Sequence, residues 1–166
     1  MSTAALRPSA SATRLGALRA PRRAAVTAAA LSLVTAWIHL AYTASHWRDW
    51  WAYGMFFLVS GAFQGLFVPA MLRWPRSVLV ALTGIAGNFA IVGMYVYSRT
   101  IGVPMGPHTG VAERTGAVDL GCTAMEILLM GVLMAIVGQK TRRGIANALL
   151  VVGVLLWVGR LTGRLP

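Results

Sequence analysis

Apolar residues in this chain come in long, nearly unbroken runs, without the periods of 3.6 or 2 that mark a half-buried helix or strand. Five runs stand out, at 24–45, 51–72, 77–98, 120–139 and 144–159, the last being the shortest. Each approaches the ~20 residues that carry an α-helix across a ~30 Å hydrocarbon core. Backbone groups in hydrocarbon have no water partner, so such runs satisfy their own hydrogen bonds as helices. The pattern predicts an all-α integral membrane protein, a bundle of about five transmembrane helices forming a single domain over 24–160. Residues 1–23 are rich in Ala, Ser and Arg and carry no acidic residue, which reads as a disordered basic cytoplasmic tail. Arg-rich, acid-poor starts also describe organelle transit peptides, whereas the apolar stretch that follows is too long for a cleaved secretory signal.

Composition sharpens this picture. Hydrophobic residues make up 57% of the 166, and charged residues only 11%. About a quarter charged is usual for a soluble domain, so a soluble fold and a disordered chain are both excluded. The formal net charge of +11 would suggest nucleic acid in a soluble protein. Here the cations sit at the ends of apolar runs, where they set orientation and meet anionic headgroups, so the expected partner is the lipid bilayer, with no nucleic acid. Ten of the 15 Lys and Arg fall in the tail and in the 73–76 and 140–143 turns. The other five, Arg48, Arg99, Arg114, Arg160 and Arg164, fall on the opposite side. This split predicts a cytoplasmic N-terminus and a C-terminus outside. Trp47, Trp50, Trp51, Tyr53, Tyr95 and Tyr97 gather at the outer ends, as an interfacial aromatic belt does.

Small residues give thin helix faces. Gly61 and Gly65 form a small-xxx-small pair with Gly54 on the same face, and Gly84, Gly87 and Asn88 thin the third run. Such faces let helices approach closely. The Gly61–Gly65 face can pack within the chain, or hold a homo-oligomer or a larger membrane complex together.

Ionisable groups inside a span cost on the order of 3 kcal/mol and point to function by default. His39 and Glu126 lie at similar depth below the outer ends of the first and fourth runs, and Gln64 and Asn88 lie mid-membrane in the second and third. His39 and His46 are seven residues apart and share a helix face, as do Asp119 and Glu126, with Cys122 between them. The spacing predicts a two-rung ladder in the outer leaflet: His46 with Asp119 above, His39 with Glu126 below. Three readings of this polar cluster stay open. It can be a site for a transition metal (Zn, Fe or Cu) on His39 and Glu126, or for a proton; Met105, Met125 and Cys122 would favour copper if their sulfurs turn inward. It can be the floor of a small-ligand pocket. It can also be a set of hydrogen bonds fixing helix register in a structural or accessory subunit. Haem is not expected, because no two helices offer histidines at one depth. Cys122, inside an apolar run, reads first as a small buried hydrophobe.

The longest connection, 99–119, combines Pro104 and Pro107 with Gly102, Gly106 and Gly110, which predicts an ordered outer loop able to cover the cluster. It brings Arg99, Met105, His108 and Glu113 to the mouth, and Arg99 can pair with Glu113 or Asp119. No phosphate-binding loop, H-E-x-x-H, C-x-x-C or G-x-S-x-G motif occurs.

The segment HLAYTASHWRDWWAYGMFFLVSGAFQ, the Gly87–Asn88 pair, SRTIGVPMGP at 98–107 and the acidic run at 113–126 together resemble uncharacterised small polytopic membrane proteins of high-GC bacteria. That family pattern has a His-containing first helix, a GxFF–Q second helix and an R-T-x-G-x-P-x-G-P outer loop. The resemblance covers about 37–127. It implies a multi-pass protein of the bacterial plasma (inner) membrane and brings no activity with it.

Overall fold

The computed structural model describes residues 10–162, and among them the regular structure is entirely helical. Five helices follow in order: α1 Ala10–Asp49, α2 Trp51–Arg73, α3 Val78–Thr100, α4 Ala117–Ile136 and α5 Gln139–Leu161. Four segments among the described residues are long and apolar enough to cross a membrane: Arg22–Asp49, Trp51–Arg73, Val78–Thr100 and Ala117–Ile136. They coincide with the first four apolar runs. The expected fifth span, 144–159, falls on α5, where several side chains lie outside the described residues. The cations Lys140, Arg142 and Arg143, expected in a turn, sit in the opening turns of α5.

The stretch expected to be a disordered tail is helical from Ala10 onward. Its Ala, Leu and Arg are strong helix formers, and the helix they begin continues into the apolar run without a break. Residues 1–9 lie outside the described residues.

The chain divides after Ile136 into two compact units, α1–α4 and the α5 segment. Within the first unit α1 packs on α2 and α4, while α3 packs on α4 and α2, closing a ring of four. One- and four-residue connections make α1, α2 and α3 successively antiparallel, and the Arg99–Asp119 bond brings the end of α3 to the start of α4, which sets α4 antiparallel to α3. A single extended residue, Trp50, separates α1 from α2. Residues 74–77 join α2 to α3, and the Ser77 hydroxyl caps α3 by accepting from the Val80 N–H at 3.3 Å.

Small residues set the helix spacing. Ala25, Ala28, Ala29, Ser32 and Ala36 give α1 a buried stripe. Against it α2 presents Gly54, where a Cβ would come 2.7 Å from Trp47 Cα, and Gly61, where a Cβ would come 2.7 Å from Leu40 Cγ. Gly84 of α3 meets Phe67 and Leu133, and Gly87 meets Phe63. Of the two uses open to the Gly61 side of this face, packing within the chain is the one seen, against Leu40 and Ala36 of α1. Only Gly65 of that pair faces open space. Glycine is required here because membrane helices associate through close backbone approach, without a hydrophobic drive.

Candidate functional site

Each of the four helices contributes one polar side chain at a common depth, and these meet at the centre of the ring. His39 comes from α1, Gln64 from α2, Asn88 from α3 and Glu126 from α4; none is more than 5% exposed. The lower rung expected from the sequence is present, with His39 Nε2 3.8 Å from Glu126 Oε1. Gln64 links the rest: its Nε2 donates to Glu126 Oε1 at 2.9 Å and to Asn88 Oδ1 at 3.0 Å. Asn88 in turn donates to the Gly84 carbonyl at 2.8 Å, and the Ser32 hydroxyl donates to the Gln64 carbonyl at 2.8 Å. Gln64 Oε1 is buried and has no hydrogen-bond partner.

His39 is oriented by its own helix. Its Nδ1 lies 2.9 Å from the Thr35 carbonyl, which only accepts, so Nδ1 carries the hydrogen. In the neutral ring the lone pair is then on Nε2, which points at Glu126. Phe57 backs the ring, with centroids 5.5 Å apart. One turn above Glu126, the Cys122 thiol faces the same carboxylate oxygen at 4.0 Å. His39, Cys122 and Glu126 each offer a ligand atom, and these atoms all lie within 4.8 Å of one another.

The expected upper rung does not form. Asp119 Oδ2 accepts from Arg99 Nη2 at 2.9 Å, and a second nitrogen of the same guanidinium bonds Glu113. A permanently charged, forked donor outcompetes a histidine for a carboxylate. His46 instead stacks on Phe57 at 3.7 Å between centroids, and its Nδ1 donates to the Tyr42 carbonyl at 2.9 Å. Arg99 therefore bonds both of the carboxylates considered for it, while its guanidinium lies 4.9 Å over the Tyr95 ring.

The outer loop is ordered by backbone and side-chain bonds. Glu113 N–H donates to the Ser98 carbonyl at 3.0 Å, and Gly110 N–H to Val103 at 3.0 Å. The Tyr53 hydroxyl reaches across from α2 to the Met105 carbonyl at 3.1 Å. Gly102, Gly106 and Gly110 all have positive φ, and a Cβ on Gly106 would strike Tyr53 and Trp50. His108 lies over the Tyr53 ring with centroids 6.5 Å apart, away from the polar centre.

Between loop and polar centre lies a cavity of about 250 Å³. Arg99, Glu113 and Asp119 line its mouth, aromatic side chains including Tyr42, Trp50 and Phe57 its wall, and His39, Cys122 and Glu126 its floor. Met94 and Met105 also face it, whereas Met125 is not among its lining residues. Gln64 and Asn88 lie behind the floor. The sequence set Gln64 and Asn88 apart from the His39–Glu126 rung and put Cys122 on the Glu126 face; hydrogen bonds through Gln64 now join the first two to Glu126. Ser32 and Thr35 were missed. Their signal was the spacing 32–35–39, which puts two hydroxyls on the His39 face of one helix.

Comparison with protein-family models, curated proteins and solved structures finds no match to this chain.

Proposed function

We propose that this chain is a multi-pass protein of the bacterial plasma membrane, N-terminus in the cytoplasm, whose outward-opening cavity binds a cation. The observation that carries the reading is the burial of Glu126. At 1% exposure its carboxyl group accepts from the Gln64 amide and faces a histidine lone pair, and among the described residues no Lys or Arg is bonded to it. A buried carboxyl group in such surroundings holds a proton or a cation, because an unpaired buried charge is prohibitive. Charge placement supports the same reading. The chain has four acidic and 15 Lys and Arg residues, yet Glu113, Asp119 and Glu126 line this one cavity, and among the described residues Arg99 is its one Lys or Arg. Low-dielectric walls focus the field of such a group, which raises the local concentration of cations.

A second reading has its own support. The Gln64 amide ties α2, α3 and α4 together, which is what a purely architectural cluster in an accessory subunit would do. Thermal unfolding of the purified protein in detergent separates the two. Zn²⁺, Ca²⁺ and tetramethylammonium are added in turn, since a ligand that binds only the folded state stabilises it by RT ln(1 + [L]/Kd). Cation binding raises the midpoint for at least one of them, and Glu126→Gln abolishes that rise. No rise with any cation, and a Glu126→Gln variant with the parent's midpoint, overturns the reading and leaves the cluster as architecture.

A further inference from the structure

We propose that the cavity floor is a transition-metal site with three protein ligands, His39 Nε2, the Cys122 thiolate and a Glu126 carboxylate oxygen, and a fourth position open to the cavity. The inference rests on the cation reading and names the class of cation.

The donor set and its spacing argue for it first. Zn²⁺ and its neighbours take nitrogen and oxygen at about 2.0–2.2 Å and thiolate sulfur at about 2.3 Å, so tetrahedral ligand atoms stand roughly 3.3–3.8 Å apart. The nitrogen–oxygen and sulfur–oxygen separations here are 3.8 and 4.0 Å. Both are too long for a strong hydrogen bond. Both fall within a few tenths of an ångström of the spacing that a shared ion imposes.

Preorganisation argues for it second. A metal-bound histidine donates its other ring nitrogen to a carbonyl or carboxylate, which fixes tautomer and aim. The Thr35 carbonyl does this for His39 at 2.9 Å, leaving Nε2 as an acceptor that faces another acceptor. Two acceptors aimed at each other are relieved by a proton on the carboxyl group or by a bound cation, and a cation uses both lone pairs at once. Glu126 is held by the Gln64 amide at 2.9 Å, a bond that remains when the carboxylate also binds a metal.

Charge and ligand chemistry select the class. A divalent ion with one thiolate, one carboxylate and a neutral imidazole sums to zero, the cheapest state in a low-dielectric bundle. Binding releases the thiol proton of Cys122, and the carboxyl proton of Glu126 where present, to water through the cavity. Ca²⁺ and Mg²⁺ want six or more oxygens, which this floor does not offer. Structural zinc sites use four protein ligands, whereas sites that exchange ligands or do chemistry keep one position open. Here the open position faces a cavity of about 250 Å³, room for water or a small oxygen donor.

The test is spectroscopic and begins with the unmodified full-length chain. Metal-stripped protein in detergent is titrated with Co²⁺. The expected result is one ion per chain, strong visible d–d bands of a four-coordinate ion, a near-ultraviolet thiolate-to-cobalt band, and displacement of all bands by Zn²⁺. Cys122→Ser removes the near-ultraviolet band while circular dichroism stays unchanged. His39→Gln and Glu126→Gln weaken binding at least tenfold. Co²⁺ binding without the thiolate band, or with a band that survives Cys122→Ser, overturns the site. Stabilisation by Ca²⁺ or tetramethylammonium with no Co²⁺ binding overturns it too, yet leaves the cation reading standing. Failure of every cation to bind overturns both.

Discussion

Gln64 shows how much a single uncharged side chain can organise in this bundle. Its amide nitrogen has two hydrogens and spends them on Asn88 Oδ1 and Glu126 Oε1, so three helices depend on one residue. Gln64→Leu keeps the approximate volume and removes both bonds. It leaves the Asn88 oxygen and the Glu126 carboxyl without that donor, and interhelical hydrogen bonds of this kind are worth about 0.6–2 kcal/mol each in membranes. The expected outcome is a loss of roughly 1–3 kcal/mol, read as an earlier midpoint in detergent-driven unfolding. Parent-like stability would mean that Asn88 and Glu126 find other partners. At this scale the sequence was legible where cost is high. His39 and Glu126 stood out because ionisable groups in apolar runs are rare. The failed upper rung marks the limit: seven-residue spacing puts His46 and Asp119 on suitable faces, but it cannot rank Asp119's choices, and Arg99 was the better one.

At the scale of the helix, the glycines of α2 divide into two kinds that spacing alone does not separate. Gly54 and Gly61 are roofed by α1, and a Cβ on Gly54 would stand 2.7 Å from the Trp47 main chain, which cannot rotate away. Gly54→Ala therefore forces α1 and α2 apart, at a cost of about 1–3 kcal/mol typical of overpacking. Gly65 has nothing within 4 Å among the described residues, so Gly65→Ala meets no obstacle there and gains up to about 1 kcal/mol of helix propensity. Thermal midpoints of the two variants in the same detergent should move in opposite directions, or the second not at all. A drop for Gly65→Ala would reveal a partner on that face. The existence of helices was legible from apolar run length, but not every boundary: α4 ends at Ile136, short of its 120–139 run, and α5 already begins at Gln139. The start of α1 was not. Low hydrophobicity and high Arg content suggest a tail, while the same Ala, Leu and Arg residues favour the helix that begins at Ala10.

At the scale of the molecule, the ends of the bundle differ in chemistry, and the difference can be read as an orientation. The α1–α2 corner and the 101–116 connection lie at one end, because neighbouring helices are antiparallel. That end holds the Trp50–Trp51–Tyr53 cluster, the Arg99 clasp and the cavity mouth. The opposite end holds Arg73, Arg76 and the beginning of the apolar part of α1 at Arg22 and Arg23. Lys and Arg near short loops set topology through their retention in the cytoplasm, so the proposed orientation turns the end with Arg22, Arg23, Arg73 and Arg76 inward and the cavity mouth outward. Reporter fusions at residues 74, 110 and 141 should then report in, out and in. A cytoplasmic signal at 110 reverses the bundle, and with it the side from which the proposed cation would enter. A fusion at residue 166 decides what the four spans leave open. An outer signal there means that α5 crosses the bilayer, as its apolar 144–159 stretch predicts. A cytoplasmic signal means that α5 lies along the inner surface, where Lys140, Arg142 and Arg143 would bind anionic headgroups at about 1 kcal/mol apiece. The second outcome would also make the protein tolerant of a fusion at 166, because the fused domain would stay on the side where it is made and need no translocation behind α5.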